Sequence, residues 1–300
     1  MLKNKKMKKL IIILLLFVFP FTVKAQDDLL DLVEVSQKEF VRNAFKSTRV
    51  ISTQSTEFVG KGVLDTRISH RFGRLNEGSY GAYGLDNATI RLGLDYGVSD
   101  RFTVGIGRSS FKKEIDGFLK YRMIWQAKGK GGSPISVVLF TSFVKDGLKW
   151  DDPTINNYFT SRYAFCNQIL ISRKFSDSFS LQVMPTVVHK NLVPTNEDNN
   201  DMYSLGISTR MKLTRRLSIN AEYYYNDPNT LPINRTNPLT LGLDIETGGH
   251  VFQLSLSNSL GMNERTYITE TDGKWSKGDI HFGFTISRVF TVSKPKEFKG

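Results

Sequence analysis

The sequence predicts an all-β chain that closes into an antiparallel transmembrane β-barrel of about 12 strands, with a short N-terminal helical extension. Three observations lead to this prediction. Apolar residues recur at every second position in runs of about ten residues, long enough for a tilted strand to cross a bilayer. The connections between these runs alternate between long and short. After Leu16, no apolar run approaches the roughly 20 residues that a transmembrane helix needs.

The first 25 residues have the order of features of a secretory signal peptide. Basic residues at 3–9 precede an apolar stretch at 10–21, and Val23 and Ala25 fit a small-residue cleavage site. We therefore expect export through the inner membrane and a mature chain that begins at Gln26. An uncleaved anchor is the alternative, although the apolar stretch is short for a membrane span.

Residues 26–62 lack strand periodicity and are predicted to form a periplasmic or plug-like extension and linker. Between 27 and 45, apolar residues fall near helical spacing, and acidic residues cluster at the start, where the helix dipole favours them. This pattern predicts a short helix over 27–45, followed by a polar linker over 47–62.

From residue 63 the sequence period changes to two, and residues 63–290 are predicted to form the barrel. Leu239, Leu241 and Leu243, for example, alternate with polar or small residues. The predicted strands lie at 63–72, 87–97, 101–109, 116–127, 133–144, 159–173, 179–190, 201–213, 217–227, 237–247, 249–258 and 278–290.

The connections between the predicted strands indicate which end of the barrel faces which side. Outer-membrane barrels have short periplasmic turns and long external loops. Long connections at 73–86, 145–158, 191–200, 228–236 and 259–277 alternate with short ones. Two connections fit less well, since 110–115 is short for an external loop and 128–132 is long for a periplasmic turn. A C-terminal tail, 291–300, follows the last strand.

Charged side chains occupy positions that alternate with the apolar series. If the apolar series faces lipid, these charged residues line the lumen. The predicted lumen-lining residues are Asp65, Arg67, Arg91, Asp95, Lys120, Arg122, Arg210, Lys212, Glu222, Asp244 and Glu246. Because acids and bases nearly balance, these charges either line an aqueous path or pair across the lumen and fill it. We predict a passive channel for small charged solutes, and the alternative is a non-conducting structural or partner-docking scaffold.

The formal net charge of +12 does not indicate a nucleic-acid partner, because six of the lysines lie in the first 25 residues and the other charges are scattered. Cys166 is the only cysteine, so neither an intramolecular disulfide nor a cysteine-based zinc site can form. The four histidines lack metal-ligand spacing, and the Gly-x-Ser-x-Gly elbow is absent. We expect no enzyme activity, no metal and no cofactor.

Five segments of the barrel region carry a resemblance to a known family. They are GKGVLDTRISHRFG at 60–73, IRLGLDYGVSDRFTVGIGR at 90–108, MPTVVHKNLVPT at 184–195, DIETGGHVFQLSLSNSLG at 244–261 and GDIHFGFTISRVF at 278–290. Over about residues 46–290 the chain resembles an uncharacterised outer-membrane β-barrel family of Bacteroidetes. The resemblance implies a barrel in the outer membrane and brings no catalytic residues. The expected partners are outer-membrane lipid, the barrel-insertion machinery and a periplasmic protein.

Overall fold

The computed structural model describes residues 38–150, 152–154 and 156–293. The predicted signal peptide, the first part of the predicted helix (27–37) and residues 294–300 of the tail lie outside the described residues. No helix among the described residues is long and apolar enough to cross a membrane.

Twelve antiparallel strands close into one barrel, which confirms the predicted fold class. Each barrel strand pairs with its neighbours in chain order, and the last strand pairs with the first to close the ring. The barrel strands are β2 (Val63–Arg74), β3 (Ala88–Ser99), β4 (Phe102–Ser109), β5 (Ile115–Ile124), β7 (Ser136–Lys145), β8 (Tyr163–Lys174), β9 (Phe179–Lys190), β10 (Asp201–Lys212), β11 (Leu217–Asn226), β12 (Leu239–Thr247), β13 (His250–Ser257) and β14 (His281–Thr291). Two short strands, β1 (Glu39–Phe40) and β6 (Ala127–Lys128), pair with each other outside the barrel sheet.

The predicted strand ends lie close to the observed ones. The larger differences occur where a 3₁₀ turn takes over the end of a predicted strand, as at Phe159–Arg162 before β8. The period of two decides the faces of the sheet: in β12, Thr240, Gly242 and Asp244 are buried, while Leu241 and Leu243 are exposed on the outer surface.

The connection between β5 and β7 is one of the two that fit the alternation of long and short connections poorly. It is long because it contains β6, which pairs with the N-terminal segment at β1. The N–H of Val41 donates to the carbonyl of Gln126 (2.8 Å), and the indole Nε1 of Trp125 donates to the carbonyl of Val41 (2.8 Å). The extra length therefore anchors the incoming chain at the short-connection end.

The predicted helix over 27–45 is wrong for its described part. Residues 38–45 contain β1 followed by bends, because the Phe40 ring packs on Trp125 (4.8 Å between centroids) and the backbone bonds to the β5–β7 connection. The only α-helix among the described residues is α1 (Glu264–Thr269), which lies in the connection between β13 and β14.

Candidate functional site

Two segments fill the interior of the barrel. The first, residues 44–59, precedes β2 and is called the N-terminal plug. The second, residues 258–271, belongs to the β13–β14 connection, contains α1 and is called the loop plug. Most residues of both plugs are buried, including Gln54 in the first and Tyr267 in the second. The polar linker predicted over 47–62 is therefore, for much of its length, a buried filling of the lumen.

The N-terminal plug turns back on itself as a small hairpin. Arg49 and Gln54 form an isolated antiparallel bridge, the N–H of Ser55 donates to the carbonyl of Thr48 (2.9 Å), and the N–H of Val50 donates to that of Thr53 (2.9 Å). Serine and threonine are abundant here, and their small side chains let the hairpin fit a lumen narrowed by long wall side chains. The hairpin tip places several backbone N–H groups side by side.

Glu222 of β11 holds this hairpin tip. Its carboxylate accepts hydrogen bonds from the backbone N–H groups of Ile51 (2.7 Å), Ser52 (3.0 Å) and Thr53 (3.0 Å), and from the Thr53 hydroxyl (2.7 Å). Glu222 is fully buried. A buried carboxylate is tolerated where donors surround it, so this contact satisfies both the Glu222 charge and the backbone N–H groups of the buried hairpin tip.

Wall charges on β2 and β3 contact the same plug through Thr48. The Thr48 hydroxyl donates to Asp95 Oδ2 (3.0 Å), and Arg67 Nη2 donates to the Thr48 oxygen (2.9 Å) and to Asp65 Oδ2 (3.1 Å). All four side chains are buried. Three predicted lumen-lining residues thus meet at one plug residue.

Lys120 and Arg122 of β5 bind the returning half of the N-terminal plug. Lys120 Nζ donates to the carbonyls of Glu57 (2.6 Å) and Thr48 (3.3 Å). The Arg122 guanidinium lies 4.2 Å from the Phe58 ring centroid and 3.9 Å from that of Trp125. The groups in direct contact with these cations are backbone carbonyls and aromatic faces.

Arg91 of β3 pairs with Asp116 of β5 across the inward face of β4. Arg91 Nε donates to Asp116 Oδ2 at 3.0 Å and Nη2 donates to Oδ1, which makes the pair bidentate. Both side chains are only 2% exposed. Asp116 is absent from the residues predicted from the sequence, although it shares strand parity with Lys120 and Arg122.

The two plugs meet near the centre of the lumen. Arg49 Nη1 lies 2.8 Å from Glu264 Oε1 of the loop plug. Arg71 of β2 donates to the carbonyls of Ser259 (2.8 Å) and Gly261 (2.9 Å) and to the Ser52 hydroxyl (3.0 Å). Arg71 therefore joins the wall to both plugs.

The remaining predicted residues lie toward the short-connection rim. Asp244 accepts from Gln253 Nε2 (2.8 Å), which also donates to the carbonyl of Val50 in the plug (2.6 Å). Glu246 pairs with Lys46 of the plug at 2.5 Å. Arg210 is buried and Lys212, at the end of β10, is half-buried. The structure thus brings most of the predicted set against the N-terminal plug.

A large part of the interior is apolar. The prediction from the sequence misses this, because it places the apolar residues of each strand on the lipid-facing side. Inward residues of β5 and β7–β11 form a buried cluster with Tyr267 and Ile268 of α1. The cluster comprises Phe118, Val138, Phe140, Cys166, Leu170, Met184, Val188, Met202, Tyr224, Tyr267 and Ile268. At these positions both faces of the strand are apolar, so hydropathy alone does not distinguish the inner face from the outer one. This half of the barrel is packed like a protein core.

Little space remains between the plugs and the wall at the centre of the barrel. The cavity among Arg49, Arg71 and Arg91 has a volume of about 10 Å³, no more than one water molecule requires. A larger opening of about 360 Å³, lined by Lys46, Asp65 and other residues, lies at the short-connection end between the plug and β13–β14.

The mouth at the long-loop end carries a compact ion cluster around Glu270. Lys190 Nζ (2.9 Å) and Arg265 Nε (3.0 Å) contact its Oε1, and Lys112 Nζ bonds to Oε2. Burial alone would raise the pKa of Glu270, but the three cations outweigh it and hold this pKa well below its usual range. At neighbouring Glu114, burial dominates over Arg265 and raises the pKa to about 7.

No arrangement for metal or nucleophilic catalysis is evident among the residues that the structure describes. Nowhere in this part of the chain do three or more His, Cys, Asp or Glu side chains gather as metal ligands. His189 Nδ1 lies 2.7 Å from Asp201 Oδ1 at the outer rim, with both side chains well exposed. Cys166 is buried in the apolar half of the lumen, where burial keeps a thiol inert.

A closed antiparallel barrel with an apolar outer surface is the architecture of membrane-bound β-barrels. The family model described as "Membrane bound beta barrel domain (DUF5777)" matches residues 45–290, and the chain belongs to this family. This confirms the resemblance to an uncharacterised membrane-barrel family, while the predicted bacterial group stays a prediction. No curated protein matches the sequence.

Solved structures similar to this chain include porins and an enzyme. NanC porin is 9% identical with a TM-score of 0.46, covering 75% of this chain and 98% of its own. KdgM porin is 10% identical with a TM-score of 0.46, covering 76% and 99%. The outer membrane phospholipase A of Escherichia coli is 11% identical with a TM-score of 0.44, covering 75% and 89%. This mixture does not distinguish transport from catalysis.

Proposed function

We propose that this protein is a non-conducting outer-membrane scaffold in its resting state, not an open passive channel. The observation that carries the proposal is the filled lumen. Two plugs occupy the interior, and the central cavity beside Arg91 holds no more than about one water molecule. A solute path of useful width would require at least one plug to move.

The energetic cost of such a movement supports the scaffold. Withdrawal of the N-terminal plug would break the four hydrogen bonds at Glu222 and the ion pair between Arg49 and Glu264. Removing one partner of a buried charge costs about 3–5 kcal/mol, because the other charge stays uncompensated. Most of the wall charges predicted to line a solute path contact the plug instead, including Arg67, Lys120 and Glu222.

We propose the outer membrane as the location, reached through the predicted signal peptide and the barrel-insertion machinery. The support is the even strand number, which places both ends of the barrel sheet at the short-connection rim, as in outer-membrane barrels. Mass analysis of the protein in outer-membrane fractions should find Gln26 as the first residue. A retained Met1 in the inner membrane would contradict this location.

A gated channel is the second candidate, and one observation favours it. The N-terminal plug precedes β2, so it could leave through the short-connection end without unpairing a barrel strand. The charged inner faces of β2 and β3 would then border the vacated space. A periplasmic partner that holds the released segment would be the matching ligand.

Planar-bilayer recordings separate the two functions. The full-length mature protein and a variant lacking residues 26–62 should both be silent if the protein is a scaffold. Single-channel steps in the full-length protein would overturn the proposal, and steps only after deletion would show that residues 26–62 block the lumen, as the gated channel requires. As a folding control, circular dichroism should show that the barrel of the deletion variant is intact. The second test records the full-length protein with Glu222→Gln, because this substitution weakens the contact that holds the plug.

A further inference from the structure

The rim at the short-connection end carries a nearly complete ring of exposed cations. These residues lie near the strand ends or on the connections at this end, and they belong to neither plug. The basic ring, as we call it, comprises Lys61, Arg101, Lys128, Lys130, Arg173, Arg215, Arg216 and Arg288. The exposed carboxylates on the same connections are Asp100 and Asp177. This rim therefore has a large excess of positive charge.

The basic ring is not neutralised by the protein's own carboxylates. In the described part of this rim, the surface ion pairs are Lys46–Glu246 and Lys174–Asp177, and neither contains a member of the ring. The six connections at the opposite end have the opposite sign, with eight lysines and arginines against thirteen aspartates and glutamates. The positive excess is thus confined to one end, and it is complementary to an anionic partner at that end.

Two members of the ring show how the cations are placed relative to lipid. Arg173 on β8 and Arg288 on β14 face outward, because they follow the alternation of buried and exposed positions along their strands. Each guanidinium lies 5.0 Å from the ring centroid of an exposed phenylalanine two residues later, Phe175 or Phe290. Aromatic rings at strand ends are typical of the membrane interface, where long cationic side chains extend toward the headgroups. Both arginines therefore lie at the height of the lipid phosphates.

The distribution of the ring around the barrel identifies the kind of partner. Its members lie beside β2, at the β3–β4 turn, in the β5–β7 connection, near the end of β8, at the β10–β11 turn and on β14. Among the described turns at this end, the β12–β13 turn is the one gap. A protein partner would cover the open end or one side of the barrel, whereas the bilayer contacts its whole circumference. Phosphates of the surrounding lipids lie at this height, and an arginine can bind a phosphate through two parallel hydrogen bonds.

We propose that the basic ring binds the phosphates of anionic phospholipids in preference to zwitterionic ones. Each cation close to an anionic surface strengthens binding by about fivefold, and salt screens this attraction because the charges are exposed. The inference goes beyond the scaffold role and holds whether or not the lumen opens. Only the assignment of these lipids to the inner leaflet rests on the outer-membrane location proposed above.

Electron paramagnetic resonance of spin-labelled lipids tests the proposal with the full-length mature protein in phosphatidylcholine vesicles. The measured quantity is the association constant of labelled phosphatidylglycerol with the barrel, divided by that of labelled phosphatidylcholine. We expect a ratio of about five at roughly 0.01 M salt, where the screening length is about 30 Å. The ratio should fall toward one at about 1 M salt, where that length is about 3 Å.

Two charge-matched variants locate the effect. The ring variant carries Arg101→Gln, Arg173→Gln, Arg216→Gln and Arg288→Gln, and its ratio at low salt should be at least about twofold lower. The control variant removes four exposed lysines from the opposite end through Lys113→Gln, Lys149→Gln, Lys274→Gln and Lys277→Gln. Its net charge equals that of the ring variant, and its ratio should equal that of the unmodified protein. Circular dichroism should show both barrels folded.

Several outcomes would overturn the lipid assignment. A ratio of one in the unmodified protein would remove it, and an equal decrease in both variants would assign the effect to net charge instead of the ring. If the ring variant does not fold, the salt series decides, because a preference unchanged at about 1 M salt is not electrostatic. Binding of polyglutamate to the unmodified protein but not to the ring variant, without any preference for phosphatidylglycerol, would assign the ring to an acidic soluble partner.

Discussion

Substitution of Glu222 by glutamine tests whether one carboxylate holds the N-terminal plug in the lumen. The side chain keeps its size, and one oxygen can still accept from the plug. The other oxygen becomes an NH₂ group that faces the Ser52 N–H, which now bonds at 3.0 Å. One acceptor is lost, and the bonds from Ile51 and Thr53 no longer end on a charge.

The expected loss follows from these contacts. A buried donor left without a partner costs about 1–3 kcal/mol, and each of three charge-assisted bonds weakens by roughly 0.5–1 kcal/mol. Because a neutral amide costs less free energy to bury than a carboxylate, part of this loss of stability is offset. We expect the free energy of local opening of the plug to fall by about 2–4 kcal/mol, which is roughly 30- to 1000-fold faster exchange.

Amide hydrogen exchange in the reconstituted full-length protein measures this opening at residues 51–53. The control is Ser218→Ala, a truncation on the same strand and the same buried face that removes no plug contact seen among the described residues. Protection at 51–53 that is unchanged in Glu222→Gln, or equally reduced in Ser218→Ala, would refute the reasoning.

Three further predictions concern the lipid face, the lumen and the mouth. Leu254→Arg should destabilise the barrel by about 2–4 kcal/mol in reversible unfolding in lipid, and Leu254→Phe by less than about 1 kcal/mol; equal costs would place this residue off the lipid face. Arg91→Met or Asp116→Leu alone should cost about 3–5 kcal/mol, and the double variant less than either; additive costs in the same assay would rule out a buried pair. Because folded Glu114 keeps its proton up to about pH 7 while the unfolded group loses it near pH 4.5, stability should fall by up to about 3 kcal/mol as pH rises through this window. Glu114→Gln should abolish that fall in urea midpoints, and an unchanged slope would assign it to another group.

The barrel itself could be predicted because its signal is local. A period of two over nine to twelve residues depends only on one strand, and turn residues mark each end. The strand ends shifted where aromatic residues formed a 3₁₀ turn at the rim, as at Phe159, since aromatic residues suit both strands and rims. One of the two poorly fitting connections had a tertiary cause, the β1–β6 pair.

The N-terminal plug could not be predicted because its partners are remote in sequence. The stretch 47–56 is rich in serine and threonine, which is typical of a solvated linker. Its burial depends on Glu222 and Gln253, about 170 and 200 residues away. No local pattern in residues 47–56 predicts that a distant carboxylate will accept hydrogen bonds from the backbone N–H groups of this stretch.

The alternation of inward and outward positions along a strand could have added residues to the predicted lumen-lining set. Asp116 precedes Lys120 by four residues, and Arg71 follows Arg67 by four, so each lies on the same face as a predicted residue. The apolar inner half could not be found this way, because on β7 both Leu139 and Phe140 are apolar and only packing within the buried cluster distinguishes Phe140. Sequence alternation identifies inward charges well and inward apolar residues poorly.

The seam between β14 and β2 has a consequence for how the protein is assembled. Arg71 lies on the first barrel strand, and the carbonyls that satisfy it, at Ser259 and Gly261, belong to the connection that leads from β13 to the last strand. Until these strands meet, a guanidinium destined for the interior lacks its acceptors. A half-built barrel therefore displays unpaired charge at its open edge, and closure of the ring buries that charge among its acceptors.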